Sequence, residues 1–156
     1  MKKSSITKIY LSLFFALIFD NIFSFQIGSY YLESNLVYLI FGYWIFALPE
    51  KLRVFHSFTM GLIIDLLSGS WIGFYTSMFV FFSYIIHVYA YTFRLFSYLQ
   101  LSIFFGMTAT FITALKFLIS YPESYSYINI FLSLIFNILF WFPIYKIMRF
   151  YRQRYL

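Results

Sequence analysis

Two acidic residues inside apolar segments are the residues best placed to carry chemistry in this sequence. Asp20 lies twelve residues after Lys8, and Asp65 lies twelve residues after Arg53. At 1.5 Å per residue, each carboxyl group is about 18 Å from the basic end of a straight helix. An acid at the centre of a membrane helix costs about 2.5–3.5 kcal/mol, so Asp65 in particular predicts a functional site.

Asn137 and Lys116 are polar residues that can join these acids. Asn137 is nine residues before Lys146, about 14 Å from that end of a helix. Asp20, Asp65 and Asn137 can therefore meet at a similar depth. Alternatively, Asp20 lies near the outer interface on a tilted helix, and Asn137 makes a single interhelical hydrogen bond. Lys116 either reaches the outer interface or forms an ion pair with Asp65 or Asp20.

Glycines recur every four residues around Asp65, at positions 61, 69 and 73. Gly61 is one turn from Asp65 on the same helix face, which predicts close approach of another helix. Gly69, between two serines, predicts a tight turn, and Gly73 predicts close packing at the start of the next helix. The same spacing admits a homodimer, although packing within one chain is the preferred interpretation.

Composition excludes several classes of site. The chain has no cysteine and two histidines, His56 and His87, so thiolate metal sites and histidine clusters are excluded and no cofactor is predicted. Both histidines predict interfacial hydrogen bonds. No nucleophile–base pattern or glycine-rich phosphate loop is present, which argues against an enzyme. The net charge of +6 does not predict nucleic-acid binding, because the basic residues flank apolar segments.

Apolar segments long enough for membrane helices must position these residues. The chain is 63% hydrophobic and 10% charged, far from the roughly 25% charged residues of soluble domains. We predict an all-α polytopic membrane protein, a bundle of six transmembrane helices forming one integral membrane domain over residues 1–156. The predicted spans are residues 9–25, 35–48, 54–67, 71–91, 98–119 and 128–148. Trp71 and Trp141 are predicted interface anchors.

The second and third spans are short. Fourteen residues reach about 21 Å, less than the roughly 30 Å hydrocarbon core. This pair is therefore oblique, thins the bilayer, or forms a re-entrant hairpin. Pro49 ends the second span because it lacks an N–H and restricts Leu48.

Basic residues alternate between successive connections, as the positive-inside rule requires. Loops 26–34, 68–70 and 120–127 contain no Lys or Arg and are predicted to face outward. Both termini are predicted to be cytoplasmic. The inward-facing basic residues are Lys2, Lys3, Lys8, Lys51, Arg53, Arg94, Lys146, Arg149, Arg152 and Arg154.

The stretch YWIFALP at residues 43–49, with Trp44 and Pro49, and the stretch FTMGLIIDLLSGSWIG at residues 58–73 flank a basic turn. Together they resemble the hallmark region of the MreD family, inner-membrane proteins that determine rod shape in bacteria. The resemblance implies a non-enzymatic component of the elongation complex. Its implied partners in lateral peptidoglycan synthesis are MreC, the RodA glycosyltransferase, a class B penicillin-binding transpeptidase and the MreB filament, together with membrane lipids.

The family is also similar in fold to the six-helix substrate-binding components of vitamin transporters. The alternative function is therefore a substrate-binding membrane subunit of a small-molecule transporter. In that case Asp20, Asp65 and Asn137 would form a ligand site near the midplane, where short spans often mark such sites.

Overall fold

The computed structural model describes residues 4–22, 25–27, 30–32, 34–69, 71–120 and 127–155. Ser70, residues 121–126, Lys2 and Lys3 lie outside the described residues. The described residues form seven helices and one two-stranded antiparallel hairpin. The elements are α1 (Ser4–Ile22), β1 (Phe25–Ile27), β2 (Tyr30–Leu32), α2 (Leu36–Ala47), α3 (Val54–Ser68), α4 (Phe74–Val88), α5 (Ala90–Leu95), α6 (Tyr98–Ser120) and α7 (Tyr127–Tyr155).

The predicted helical fold is confirmed, with two differences in detail. A helix occupies each predicted span, but the fourth is divided at Tyr89 into α4 and the short α5. The loop expected at residues 26–34 contains part of a short hairpin, in which Gln26 is opposite Tyr31. Among the described helices, α6 and α7 are long and apolar enough to cross a membrane, whereas α2, α3 and α4 are shorter apolar helices.

Helix α2 is at the centre of the molecule. It contacts α1, α4, α6 and α7, and none of its residues is exposed. This burial follows from its sequence, LVYLIFGYWIFA, because a helix that is hydrophobic on every side has no face suited to water. Every backbone N–H at its first turn must therefore find a partner inside the protein.

Helix α7 packs against both α2 and strand β2. Asn137, near the middle of α7, contacts the first turn of α2, and Arg152 contacts its last turn. Residue numbers rise together along the two helices, so α2 and α7 run parallel to each other. Asn137 follows Tyr127 by ten residues, so α2 begins about 15 Å below the start of α7. The second span is short because the hairpin, and not a longer helix, packs beside that part of α7.

Aromatic stacking joins α2 to α4 and α6 to α7. Phe41 on α2 stacks on Phe79 of α4 at 3.9 Å between ring centroids, and Phe105 on α6 stacks on Trp141 of α7 at 4.1 Å. Trp141 is 0% exposed, so its predicted role as an interface anchor is wrong. It lies mid-helix on the inward face of α7, where its ring fills the core. Trp71, by contrast, is 68% exposed.

Candidate functional site

Asp65 caps the N-terminus of α4 from the neighbouring helix α3. Its Oδ2 accepts hydrogen bonds from the backbone N–H of Gly73 and of Thr76, both at 3.0 Å, and from the Thr76 hydroxyl at 2.6 Å. Its Oδ1 accepts from the N–H of Tyr75 at 2.8 Å. The Phe74 N–H binds the carbonyl of Trp71. The first turn of α4 is therefore fully hydrogen-bonded, and Asp65 is only 1% exposed.

Gly61 lets α3 approach α4 closely enough for these bonds. A Cβ atom at position 61 would lie 2.5 Å from the Thr76 Cα and 2.9 Å from its backbone nitrogen. Real side chains do not approach backbone this closely, so only glycine fits without moving the helices. Gly61 is one turn from Asp65 on the same face of α3, and both residues contact the same first turn of α4.

Gly69 and Gly73 serve the backbone of the α3–α4 connection. Gly69 ends α3 with φ +62°, and Gly73 precedes α4 with φ +98°, both in the left-handed region that favours glycine. No atom lies within 4 Å of a Cβ built at either position. The expected close packing at Gly73 is therefore wrong. Its positive φ instead turns its N–H toward Asp65.

Asp20 makes an analogous cap from α1 onto the N-terminus of α2. Its Oδ1 accepts from the N–H of Leu36 at 2.9 Å and from the Ser34 hydroxyl at 3.0 Å. Its Oδ2 lies 3.5 Å from the N–H of Val37. Asp20 is partly buried, and its bonds attach α1 to the most buried helix of the protein.

Asn137 completes the cap of α2. Its Oδ1 accepts from the N–H of Asn35 at 3.3 Å, and its Nδ2 donates to the Thr110 hydroxyl at 3.2 Å. The Asn35 side chain accepts from the N–H of Tyr38 at 3.3 Å. All four N–H groups of residues 35–38 therefore have side-chain partners. Asn137 is 0% exposed and joins α2, α6 and α7.

The two caps follow one design. In each, an acid near the end of one helix binds the N-terminus of the next, where the unpaired N–H groups and the helix dipole favour negative charge. In an apolar medium each unpaired N–H would cost several kcal/mol. The structure brings Asp20 and Asn137 together at α2, whereas the hydrogen bonds described for Asp65 join it to α4. The equal spacing of both acids from a basic residue is the sequence signal of this design.

The other end of α2 contacts two basic side chains. Nη1 of Arg152 donates to the carbonyl of Ala47 at 3.3 Å, so a cation meets the negative end of the helix. Pro49 follows the end of α2, and its carbonyl lies 3.1 Å from Nε2 of His87 on α4. Nδ1 of His87 lies 2.7 Å from the Ser83 carbonyl. These contacts fix the α2–α3 turn against α4 and α7.

Trp44 and Lys116 are the remaining residues that the sequence singled out. Trp44 is buried, and its Nε1 donates to the Ser12 hydroxyl at 2.9 Å, which joins α2 to α1. Lys116 is partly buried on α6, and its ion pair with Asp65 or Asp20 stays a prediction. Sequence reasoning missed Ser34 and Asn35, although two N-capping residue types directly before an apolar run are a known helix-start signal.

The described geometry is that of a structural site. Oδ2 of Asp65 and Oδ1 of Asp20 each accept from backbone N–H and hydroxyl donors, and Oδ1 of Asp65 accepts from the backbone N–H of Tyr75. A carboxylate with this set of donors orients helices, and it is poorly placed to exchange a proton with a substrate. The two caps thus fix the order and depth of α1 to α4 and α7.

Comparison with known protein families agrees with the resemblance seen at residues 43–73. Residues 1–151 of the 156-residue chain match the family described as rod shape-determining protein MreD. This match contains both helix caps and the turn at Pro49. No solved structure matches the chain. The chain therefore belongs to the MreD family of rod shape-determining membrane proteins.

Proposed function

We propose that this protein is a non-enzymatic scaffold of the bacterial cell-elongation complex, maintaining rod shape by supporting lateral peptidoglycan synthesis with MreC. Its family membership supports the role in rod shape. The observation that carries the scaffold role is the use of both acids in helix caps. Asp20 and Asp65 bind the chain's own backbone, so they serve to hold one helix arrangement.

The surface available to partners within the bilayer is largely apolar. Gly61 and Asp65 are buried against α4, so the glycine and acid face of α3 is occupied within the chain. Partner helices would therefore pack by van der Waals contact on large apolar side chains. On α1 alone, the exposed apolar residues are Leu11, Phe14, Phe15, Ile18 and Phe19. A homodimer through the glycine stripe is correspondingly less favoured than contact with MreC through such faces.

Basic residues at the proposed cytoplasmic end can contact anionic lipid or an acidic protein surface. Lys146, Arg149 and Arg154 are exposed on the last turns of α7, and Arg94 is exposed on α5. In the proposed complex this end faces the MreB filament, and the membrane faces contact MreC, the RodA glycosyltransferase and its class B penicillin-binding transpeptidase. The positive-inside rule by itself also accounts for these charges.

The orientation in the inner membrane is testable by cysteine labelling. We expect six spans with both termini cytoplasmic, because ten Lys and Arg residues lie in inward segments and none in the three outward loops. In this cysteine-free chain, single cysteines at Ser29, Ser70 and Ser124 should react with an impermeant maleimide in intact cells. Cysteines at Ser4 and Gln153 should react only after lysis. Labelling of Ser124→Cys only after lysis would exclude six spans.

Depletion of the protein in its native host tests the function. We expect cells to widen and become round while septal wall synthesis continues, because lateral synthesis loses its scaffold. Cell width and lateral incorporation of a fluorescent wall precursor are the measurements, and expression of the wild-type chain is the control. MreC should copurify with the wild-type protein in stoichiometric amount.

The transporter-like alternative makes the opposite prediction for the same experiment. Depleted cells would keep their width, and a growth defect would be relieved by one nutrient. This alternative requires a small polar ligand near Asp20, Asp65 and Asn137. The hydrogen bonds of these side chains to the chain itself favour the scaffold over a ligand site.

A further inference from the structure

An apolar groove of about 310 Å³ lies between α1 and α3. Leu13 and Leu17 of α1 line one side, and Met60 and Ile63 of α3 line the other. Its polar lining residues are few. Among them, the Tyr10 hydroxyl is hydrogen-bonded to the Thr59 hydroxyl across the two helices at 2.6 Å. The groove therefore suits an occupant that is itself apolar.

The dimensions of the groove fit a single extended chain. Its α1 lining runs from Thr7 to Leu17, ten residues or about 15 Å, which is half of a roughly 30 Å hydrocarbon core. A volume of about 310 Å³ over that length leaves a mean cross-section of roughly 20 Å². A helix about 10 Å across needs roughly 80 Å². The groove therefore has room for one acyl chain between α1 and α3, whereas a helix would lie over it and not within it.

A basic residue, Arg53, lies beyond the Thr7 end of the groove. It precedes α3, two turns before Met60 on the same face. Arg53 is exposed and its side chain makes no capping hydrogen bond. His56 lies one turn before Met60, and its buried Nδ1 has no hydrogen-bond partner within the described part of the chain. Glu50 is exposed in the preceding turn, next to Lys51.

We propose that this groove holds one acyl chain of an anionic phospholipid from the cytoplasmic leaflet, with the lipid phosphate bound by Arg53. The proposal rests on the membrane orientation proposed above, in which the basic end of α1 and α3 is cytoplasmic. In that orientation the groove extends from the phosphate level to the bilayer midplane. A half-bilayer length, an apolar lining and a basic entrance are the three features that one such lipid requires.

Native mass spectrometry of the purified full-length protein tests the proposal. The protein is equilibrated with vesicles of equal parts phosphatidylglycerol and phosphatidylcholine, extracted in mild detergent, and the retained lipids are counted. We expect one retained phosphatidylglycerol per wild-type chain. Arg53→Gln should weaken its retention about fivefold, the effect of one cationic contact near a membrane surface. Arg94→Gln, which removes an exposed charge on α5, is the matched control and should retain the lipid.

Filling the groove should remove the acyl chain. Ile63→Trp places a large ring in the groove, whereas Leu62→Trp changes the adjacent exposed residue, which does not line it. We expect Ile63→Trp to lose about tenfold in lipid retention and Leu62→Trp to match the wild type, since apolar burial drives the binding. Arg53→Gln remains informative if Ile63→Trp fails to fold, because Arg53 is exposed.

Three results would overturn the proposal. The first is equal phosphatidylglycerol retention by the wild type, Arg53→Gln and Ile63→Trp. The second is retention of phosphatidylcholine by the wild type to the same extent as phosphatidylglycerol. The third is a dimer that Ile63→Trp dissociates, which would assign the groove to a second copy of the chain. Binding is measured on the isolated protein, so a negative result leaves the scaffold function standing. Conversely, unchanged cell width on depletion would refute the scaffold and leave the lipid result intact.

Discussion

Replacement of Asp65 by leucine is expected to prevent accumulation of a stable protein. The change removes the acceptor for three backbone N–H groups and the Thr76 hydroxyl at the start of α4. A buried donor without an acceptor costs about 1–3 kcal/mol, so the three buried donors, on Tyr75 and Thr76, predict a loss of at least about 3 kcal/mol. Total stability is typically about 5–15 kcal/mol, so we expect membrane accumulation to fall about tenfold or more.

Asp65→Asn should be intermediate between wild type and Asp65→Leu. The amide oxygen can occupy the position of Oδ2 and keep three of the four bonds, while its NH₂ group opposes the N–H of Tyr75. Immunoblots of membranes and thermal unfolding in detergent measure both variants. Glu50→Leu, which removes an exposed acid, is the control and should behave as wild type. If Asp65→Leu unfolds at the same temperature as the wild type, the capping role is refuted.

The predicted ion pair of Asp65 with Lys116 needs a separate comparison. If the two charges interact, Asp65→Asn combined with Lys116→Gln should be no less stable than the worse single variant. Independent effects should add. If the losses of stability in the two single variants add in the double variant, Asp65 and Lys116 do not interact, and the charge of Asp65 acts on the first turn of α4 alone.

Gly61→Leu is expected to have the second large effect, because it separates the helices that Asp65 joins. Even the Cβ atom would lie 2.5 Å from the Thr76 Cα and 3.0 Å from the Tyr75 carbonyl oxygen. Gly61→Ala should cost about 1–3 kcal/mol by overpacking, and Gly61→Leu more. Both substitutions should lower the unfolding temperature and the stoichiometry of copurified MreC, since α4 would lose its cap.

Gly69→Asn is the matched control for Gly61. No atom lies within 4 Å of a Cβ at position 69, and asparagine tolerates the left-handed conformation found there. Its expected effect is below about 1 kcal/mol. If Gly69→Asn and Gly61→Leu destabilise the protein equally, the close approach of α3 and α4 is not the reason for glycine at position 61.

The sequence by itself determined that the chain lies in a lipid bilayer and that it is helical. Apolar segments with few charges specify helices because a chain in lipid must satisfy its backbone hydrogen bonds internally. The break at Pro49 and the unusual acid at Asp65 also follow from local chemistry. The stretch at residues 43–73 was specific enough to identify the family, which the match over residues 1–151 confirms.

Only the tertiary structure decided which group each polar side chain binds. Asn35 and Asn137 are 102 positions apart in the chain, and no periodicity connects them. The packing of α7 beside α2 puts Asn137 at the N-terminus of α2 and turns Trp141 into the core. The close packing predicted at Gly73 is wrong for a similar reason. The positive φ of Gly73 depends on the turn that the completed α3–α4 contact imposes. Sequence patterns report the face on which a residue lies, whereas hydrogen-bond partners depend on how distant helices are packed.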